Sequence, residues 1–200
     1  MATESLARLR AEAAHCTACP LFRNATQTVF GEGPSNARFV LVGEQPGDQE
    51  DLSGRPFVGP AGGVLDKALA DAGIDRKSVY VTNAVKHFKF EPRGKRRIHS
   101  KPNASEIKIC HRWLAREMEA IAPDFVVAMG ATAAQSLLGK TAPVGKMRGR
   151  EIVFVEGQHG LVTVHPSYLL RIPDAESKRR EYAKFVADLN LAKRLAAAAR

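Results

Sequence analysis

The stretch RFVLVGEQPG, at Arg38–Gly47, decides the fold class. Its first part, Arg38–Gly43, is a continuous apolar run of the kind found in strands that are buried on both faces of a parallel sheet. The part that follows, Gly43–Gly47, is a turn rich in glycine and proline. A buried strand that ends in such a turn is typical of the strand–loop–helix units of α/β proteins.

The rest of the chain continues this alternation of strands and helices. Further strands are predicted at Val79–Val85, Phe125–Met129, Glu151–Val155 and Leu161–Val164, the last two forming a hairpin. Helices are predicted within residues 1–16 and at Ala61–Ala72, Ala104–Ile121, Ala131–Leu138 and Ala175–Ala198. This order predicts one domain over residues 1–200, a three-layer α/β/α sandwich with a mainly parallel central sheet.

The composition is that of a folded globular protein. Of its 200 residues, 44% are hydrophobic and 26% are charged, which argues against a disordered chain. No apolar run approaches the roughly 18 residues that span a bilayer, and the N-terminal stretch lacks the apolar region of a secretion signal. Three cysteines are too few for a disulfide scaffold. We therefore expect a protein of the bacterial cytoplasm, at the nucleoid, with no membrane partner. A monomer is the default expectation for its oligomeric state.

Positive charge is concentrated in one stretch of the chain. The formal net charge is +9. The stretch from Lys86 to Lys101 contains seven Lys and Arg residues and only one acidic residue, Glu91. A basic patch of this density is typical of proteins that bind nucleic acid. A solvated basic loop explains the charge equally well.

Four polar or glycine-rich segments follow the predicted strands. They are the turn Gly43–Gly47, Asn83, Gly130 and His165. Because ligands of open parallel sheets bind beyond the carboxyl ends of the strands, we expect these segments to meet at one pocket. The turn matches neither G-x-x-x-x-G-K-[ST] nor G-x-G-x-x-G, so no nucleotide cofactor is expected.

The residues of this pocket have functional and structural interpretations. Glu44 could act as a base or stabilise a cationic transition state. Asn83 could read the edge of a base, or it could simply form a turn. Phe57 could present an aromatic face from a Gly/Pro-rich loop, or it could belong to the core. His165 could donate a hydrogen bond to a developing anion, although a lone histidine is more often structural.

The cysteines suggest a metal centre. Cys16 and Cys19 form a C-x-x-C pair after the first helix, and Cys110 lies far along the chain. A tetrahedral zinc or a cubane cluster needs a fourth ligand, for which His87 is favoured because the other candidates, His15 and His111, directly adjoin cysteines. From spacing alone, zinc, an iron–sulfur cluster and no metal at all are open interpretations.

Five motifs occur in the order of a known family. They are GEQPG (Gly43–Gly47), PFVGPAG (Pro56–Gly62), TNAVKHF (Thr82–Phe88), KRRIH (Lys95–His99) and HPSYLLR (His165–Arg171). Together they resemble UdgX, a subclass related to the family 4 uracil-DNA glycosylases, and the match covers about Cys16–Arg171. KRRIH discriminates the subclass, because ordinary family 4 enzymes lack it. Gln45, where those enzymes usually have alanine, points the same way.

The resemblance implies a role for each residue of the pocket. Phe57 would stack on a uracil flipped out of DNA, Asn83 would read its polar edge, and His165 would hydrogen-bond the oxygen on which negative charge develops. Glu44 would be the carboxylate near the sugar. The remaining uracil contacts would come from Gln45, Gly43 and Gly47. The residues implied to bind DNA phosphates are Lys95, Arg96, Arg97, Ser167 and Arg171. The implied partner is uracil-containing DNA, single-stranded at least.

The resemblance also implies a cluster and an unusual product. Cys16, Cys19, Cys110 and His87 would hold a [4Fe-4S] cluster. His99 would become covalently attached to C1′ of the deoxyribose after the uracil bond breaks, in a single turnover. Two alternatives are a family 4 glycosylase that turns over normally and a non-catalytic iron–sulfur or zinc module that binds nucleic acid.

Overall fold

The computed structural model describes residues 5–141 and 143–198. Its elements, in chain order, are α1 (Leu6–Ala13), β1 (Phe39–Gly43), α2 (Asp48–Ser53), α3 (Pro60–Asp71), β2 (Tyr80–Asn83), β3 (Phe90–Arg93), β4 (Arg96–His99), α4 (Ala104–Ile121), β5 (Phe125–Met129), α5 (Ala131–Leu138), α6 (Val144–Met147), β6 (Glu151–Val153), β7 (His159–Thr163), α7 (Pro166–Arg171) and α8 (Ala175–Ala198). Short 3-10 helices lie at Pro20–Arg23 and Arg76–Ser78.

The main sheet is mostly parallel, as the sequence predicts. Its strand order is β2-β1-β5-β7-β6. The pairs β1–β2, β1–β5 and β5–β7 are parallel, and the edge strand β6 is antiparallel to β7. β3 and β4 form a separate two-stranded antiparallel hairpin. The carboxyl ends of β1, β2, β5 and β7 therefore meet at one rim of the sheet.

Helices cover both faces of this sheet, because each strand sends alternate side chains to opposite sides. Leu41 of β1 packs with residues of α3 and α8, whereas its neighbours Val40 and Val42 pack with residues of α4 and α5. All five residues of β1 are buried. The α/β/α sandwich predicted from the sequence is confirmed.

A third apolar cluster lies between α1 and α4. It contains Leu9, Trp113 and the three cysteines, with Cys19 and Cys110 buried and Cys16 partly exposed. Residues 1–4 of the predicted N-terminal helix lie outside the described residues. Across the described chain, no helix combines the length and hydrophobicity needed to cross a membrane.

The predicted bounds hold for several elements and fail for others. Those of α4, β5, α5 and α8 agree with the prediction, and the Glu151–Leu161 region forms the expected antiparallel pair. β2 is shorter than the predicted Val79–Val85, although the amide of Ala84 still donates to the carbonyl of Gly43 at 2.9 Å. The prediction of a loop for the basic stretch is wrong in part. Residues 90–99 pair as the β3–β4 hairpin, and at its turn Gly94 has φ +59°.

Candidate functional site

A cavity lies at the rim where the parallel strands end. Its volume is about 950 Å³. The turn after β1, Asn83 at the end of β2, Gly130 after β5 and His165 after β7 all line it. The predicted convergence of these segments is confirmed. His99 of the β3–β4 hairpin also lines the cavity, although no strand of the main sheet carries it.

Glu44 connects the sheet to the hairpin. Its Oε1 lies 3.0 Å from Nε2 of His99. Its Oε2 accepts a hydrogen bond of 2.6 Å from the hydroxyl of Thr132, at the start of α5. Both carboxylate oxygens are therefore engaged, and the carboxylate and imidazole face each other inside the cavity.

The protonation of Glu44 reflects these contacts. Burial raises the pKa of its carboxyl, but the hydrogen bonds from His99 and Thr132 outweigh that effect and the pKa lies below its ordinary value. Glu44 is therefore ionised at neutral pH. Since an ionised carboxylate only accepts hydrogen bonds, Nε2 of His99 carries the proton in this pair.

His165 is a neutral hydrogen-bond donor. Burial lowers its pKa to about 4, which the nearby charge of Glu44 only partly opposes. Its Nδ1 accepts a hydrogen bond of 3.2 Å from the amide of Ser167. The neutral ring therefore carries its proton on Nε2 and has a donor to offer within the cavity.

Phe57 forms one wall of the cavity in a constrained conformation. It has φ +56°, which is uncommon for a residue with a side chain, and only 7% of its surface is exposed. The loop can adopt this conformation because Gly62 of α3 has no Cβ to collide with the Phe57 carbonyl. A Cβ on Gly43 would lie 2.6 Å from Cζ of Phe57 and would also collide with Oδ1 of Asn83. Gly43 thus leaves room for both side chains.

Asn83 carries an unsatisfied acceptor. Its side chain is 3% exposed, and its Oδ1 has no hydrogen-bond partner within the described part of the chain. A buried polar atom without a partner is costly, so a ligand group that donates to it would be favoured. The carbonyl of Asn83 is held by Nζ of Lys86 at 2.8 Å. Lys86 is fully buried and ion-paired with Glu117, so it does not belong to the basic surface to which sequence analysis assigned it.

Gln45 holds the base of the hairpin. Its Nε2 donates to the carbonyls of Lys89 and Ser100, each at 3.1 Å, and its Oε1 accepts from the amide of Lys89 at 3.1 Å. Both N–H groups of the side-chain amide are therefore engaged, and its oxygen is turned toward the hairpin. A uracil contact from Gln45 would have to come from its backbone.

The predicted phosphate-binding residues fall into two groups. Lys95 and Arg96 are exposed at the tip of the hairpin, whereas Arg97 is ion-paired with Asp48 and Asp51. On α7, beside the cavity, Nη1 of Arg171 donates to Oγ of Ser167 at 3.2 Å. Ser167 and Arg171 thus lie next to His165.

The cysteines and His87 lie around the cluster between α1 and α4. Sγ of Cys16 accepts from the indole N–H of Trp113 at 3.2 Å, and Sγ of Cys110 accepts from the amide of Lys86 at 3.2 Å. Burial, and charge on the other two cysteines, raise the pKa of the Cys110 thiol to about 11. Within residues 5–141 and 143–198, no three His, Cys, Asp or Glu side chains form a group that could hold a metal ion.

His87 is oriented by Thr28. The hydroxyl of Thr28 donates to the carbonyl of Ala13 at 2.9 Å, so it accepts from Nε2 of His87, which lies 3.0 Å away. Burial lowers the pKa of His87. The ring is therefore neutral and has its lone pair on Nδ1. His111, in contrast, contacts Ser136 and Glu156.

Comparison with known proteins identifies the family. The model of the uracil DNA glycosylase superfamily matches residues 30–190. The chain belongs to this superfamily. A Type-4 uracil-DNA glycosylase of Thermotoga maritima is 44% identical over 165 residues, which are 82% of each chain. A Type-4 uracil-DNA glycosylase of Archaeoglobus fulgidus is 34% identical over 194 residues, 93% of this chain and 94% of its own. A Type-5 uracil-DNA glycosylase of Pyrobaculum aerophilum is 31% identical over 174 residues, 76% of this chain and 74% of its own.

The supporting roles of three residues at this site were not predicted from the sequence. They are Thr132, Lys86 and Glu117. Thr132 holds Glu44, and the Lys86–Glu117 pair supports Asn83. A threonine at the start of a helix and isolated charged residues carry no distinctive pattern. The nearest signal was Gly130, because a glycine between β5 and α5 marks the rim to which Thr132 belongs.

Proposed function

We propose that this chain excises uracil from DNA and is then joined covalently, through His99, to C1′ of the abasic deoxyribose. The observation that carries the proposal is the Glu44–His99 pair inside the same cavity as Asn83 and His165. The family supports uracil excision, and the carboxylate-bound imidazole supports capture of the sugar.

Three side chains would recognise uracil. The unsatisfied Oδ1 of Asn83 would accept the imide N–H of the base. Phe57 would stack on the ring, and the Nε2 proton of His165 would be donated to a uracil oxygen. Because that oxygen gains negative charge as the glycosidic bond breaks, the hydrogen bond strengthens in the transition state and accelerates cleavage.

Glu44 and His99 would act on the sugar. As the C1′–N1 bond breaks, its electron pair leaves with uracil and the sugar becomes cationic, next to the Glu44 carboxylate. The imidazole lone pair of His99 would then form a bond to C1′, and Glu44 would take up the Nε2 proton across the 3.0 Å contact. A deprotonated imidazole is a poor leaving group, so the product would persist.

The target nucleotide must be accessible. A base inside a duplex hides its glycosidic bond, so the protein would act on single-stranded DNA at least, or would flip the base out. Exposed cations at the hairpin tip and on α7 would hold the phosphates, namely Lys95, Arg96 and Arg171, with Ser167 beside them. We expect the protein to act as a monomer.

The cysteines and His87 fit an iron–sulfur cluster as its ligands. The three cysteines share one apolar cluster with N–H donors to two sulfurs, and His87 presents a free Nδ1. When bound, a [4Fe-4S] cluster would tie the loop after α1 to α4. No step of the reaction passes through it.

The second candidate is a uracil-DNA glycosylase that turns over. The names of the Thermotoga and Archaeoglobus relatives favour it. In that case KRRIH would only bind phosphates, and water would capture the sugar.

The number of uracils released per protein separates the two candidates. Excess uracil-containing oligonucleotide is incubated with the protein, and free uracil is quantified by chromatography with a thymine oligonucleotide as control. Release that stops near one equivalent supports covalent capture. Release of many equivalents overturns it in favour of turnover, and no release at all overturns both candidates.

A further inference from the structure

The β3–β4 hairpin has two chemically different faces. Antiparallel pairing places Phe90 opposite His99 and Arg93 opposite Arg96. Because side chains alternate along a strand, Arg97 and His99 share one face and Arg96 lies on the other. The face with Arg97 and His99 is turned toward the body of the protein, since His99 contacts Glu44.

Arg97 is tied to α2 by two carboxylates. Its Nε donates to Oδ1 of Asp48 at 2.6 Å, and its Nη1 donates to Oδ2 of Asp51 at 2.6 Å. Asp51 is fully buried and also accepts from the amide of Thr26 at 3.0 Å. A buried carboxylate needs its partners, so this contact holds the hairpin more firmly than an exposed ion pair would.

Two aromatic rings also contact the guanidinium group of Arg97. The guanidinium carbon lies 5.5 Å from the ring centroid of Phe88 and 5.2 Å from that of Phe90, both within the range of cation–π attraction. The Phe88 ring also lies 6.3 Å from the ring of His99. The ring of Phe88 therefore lies near both Arg97 and the residue that would capture the sugar.

Arg96 has a different environment. It is exposed and makes no ion pair within the described residues, and the residue opposite it is another cation, Arg93. Glu91 lies on the same face, but the charges of Arg93, Arg96 and Lys95, which lies at the turn, outnumber it. The outer face is therefore positive overall, and a phosphate can neutralise it.

We propose that Arg97 is a positioning residue: it latches the hairpin to α2 and so fixes His99 on Glu44, while the outer face, including Arg96, contacts the DNA backbone. This inference rests on the proposed covalent function. It assigns different roles to two arginines of KRRIH: Arg97 positions the hairpin, and Arg96 contacts DNA. If the latch is loosened, uracil excision continues, because Asn83 and His165 lie on other elements. His99 then meets the sugar less often, and water takes its place.

A matched pair of substitutions tests whether Arg97 and Arg96 have these different roles. Arg97→Gln and Arg96→Gln remove the same charge from adjacent positions on opposite faces. For Arg97→Gln we expect the ratio of cross-linked protein to free alkali-labile product to fall about tenfold or more, because misplacement of a reacting group is costly. For Arg96→Gln we expect that ratio to be unchanged, with weaker non-covalent DNA binding and a salt slope reduced by about one.

Hydrogen exchange gives a readout that does not depend on cross-linking. The amide of Ser100 donates to the carbonyl of Lys89 at 3.0 Å at the base of the hairpin. Arg97→Gln should accelerate exchange in residues 90–100 relative to Arg96→Gln. Asp48→Asn, which removes the more exposed of the two carboxylates, should produce the same change to a smaller extent if Arg97→Gln impairs folding.

Equal exchange in the two arginine variants, or an unchanged product ratio in Arg97→Gln, would overturn the latch. A wild-type protein that forms no cross-link would instead refute the covalent function. The exchange comparison would then decide the latch by itself.

Discussion

Oε1 of Glu44 lies 3.0 Å from Nε2 of His99, although Glu44 follows strand β1 of the main sheet and His99 ends a hairpin outside that sheet. The sheet thus provides the carboxylate, and the added hairpin provides the imidazole. The carboxylate can accept the proton of the imidazole at the point where a cationic sugar would develop. The proposed capture of DNA depends on this single contact.

Replacing Glu44 with glutamine should slow the cross-linking reaction. The amide keeps the shape of the side chain, but it cannot take up the imidazole proton or stabilise a cationic sugar as well. General-base contributions suggest a loss of about 10²-fold or more in the rate of adduct formation. The rate is measured under single-turnover conditions with protein in excess. Unchanged coupling would remove Glu44 as the base.

His165 should remain neutral well below the ordinary range of histidine. Its pKa in the folded protein is about 4, compared with an ordinary value of 6.5. In a pH titration by NMR, its imidazole signal, assigned by its loss in His165→Gln, should not titrate between about pH 8 and pH 5.5. A midpoint near 6.5 would contradict the assignment of His165 as a neutral donor.

The same difference couples His165 to stability. Because its pKa is lower in the folded than in the unfolded chain, the unfolded chain binds more protons between about pH 6.5 and pH 4. The contribution of His165 to the free energy of unfolding is therefore complete above this window and declines as the pH falls through it. Urea unfolding of the wild type and of His165→Gln at several pH values would measure it, and an equal pH dependence would argue against it.

Adding one methyl group at Gly43 should block uracil recognition. A Cβ there would collide with Asn83 and lie 2.6 Å from Cζ of Phe57. We expect Gly43→Ala to abolish detectable uracil release in a chromatographic assay. Gly63→Ala in α3 is the matched control, because a Cβ there meets nothing within 4 Å. The control should retain activity and gain about 0.5–1 kcal/mol of stability. Normal release by Gly43→Ala would refute this picture of the cavity.

The protein should be purified as a brown iron–sulfur protein. Iron and sulfide should be present in equal amounts, and Cys110→Ser should lose both together with thermal stability, because Cys110 anchors α4 in the apolar cluster. Metal analysis and visible absorption measure this directly. A colourless protein with one equivalent of zinc would refute the cluster.

The sheet and the pocket were predictable because their signals are local. The apolar run of β1 and the Gly43–Gly47 turn identify a parallel strand and its loop, and the carboxyl-end rule brings Asn83 and His165 to the same rim. The bounds of α4 are equally clear, because Asn103 accepts from the amide of Glu106 in a capping box.

The hairpin was not predictable from hydrophobic alternation. Half of residues 90–99 are charged. Their pairing is held by contacts distant in sequence, such as Arg97 with Asp51 and Gln45 with Ser100. The one local signal was the two-residue turn at Gly94 and Lys95, a spacing that favours hairpins. The burial of Lys86 could not be predicted either, because its partner Glu117 lies on α4, far along the chain.

Covalent capture through His99 can be tested with a denaturing gel. The protein is mixed with a labelled single-stranded oligonucleotide that contains one uracil, boiled in SDS and run beside a thymine control and His99→Ser. We expect a heat-stable shifted band that requires both uracil and His99, with free abasic product from His99→Ser. An unshifted oligonucleotide with alkali-cleavable product accumulating beyond one equivalent of wild-type protein would contradict it.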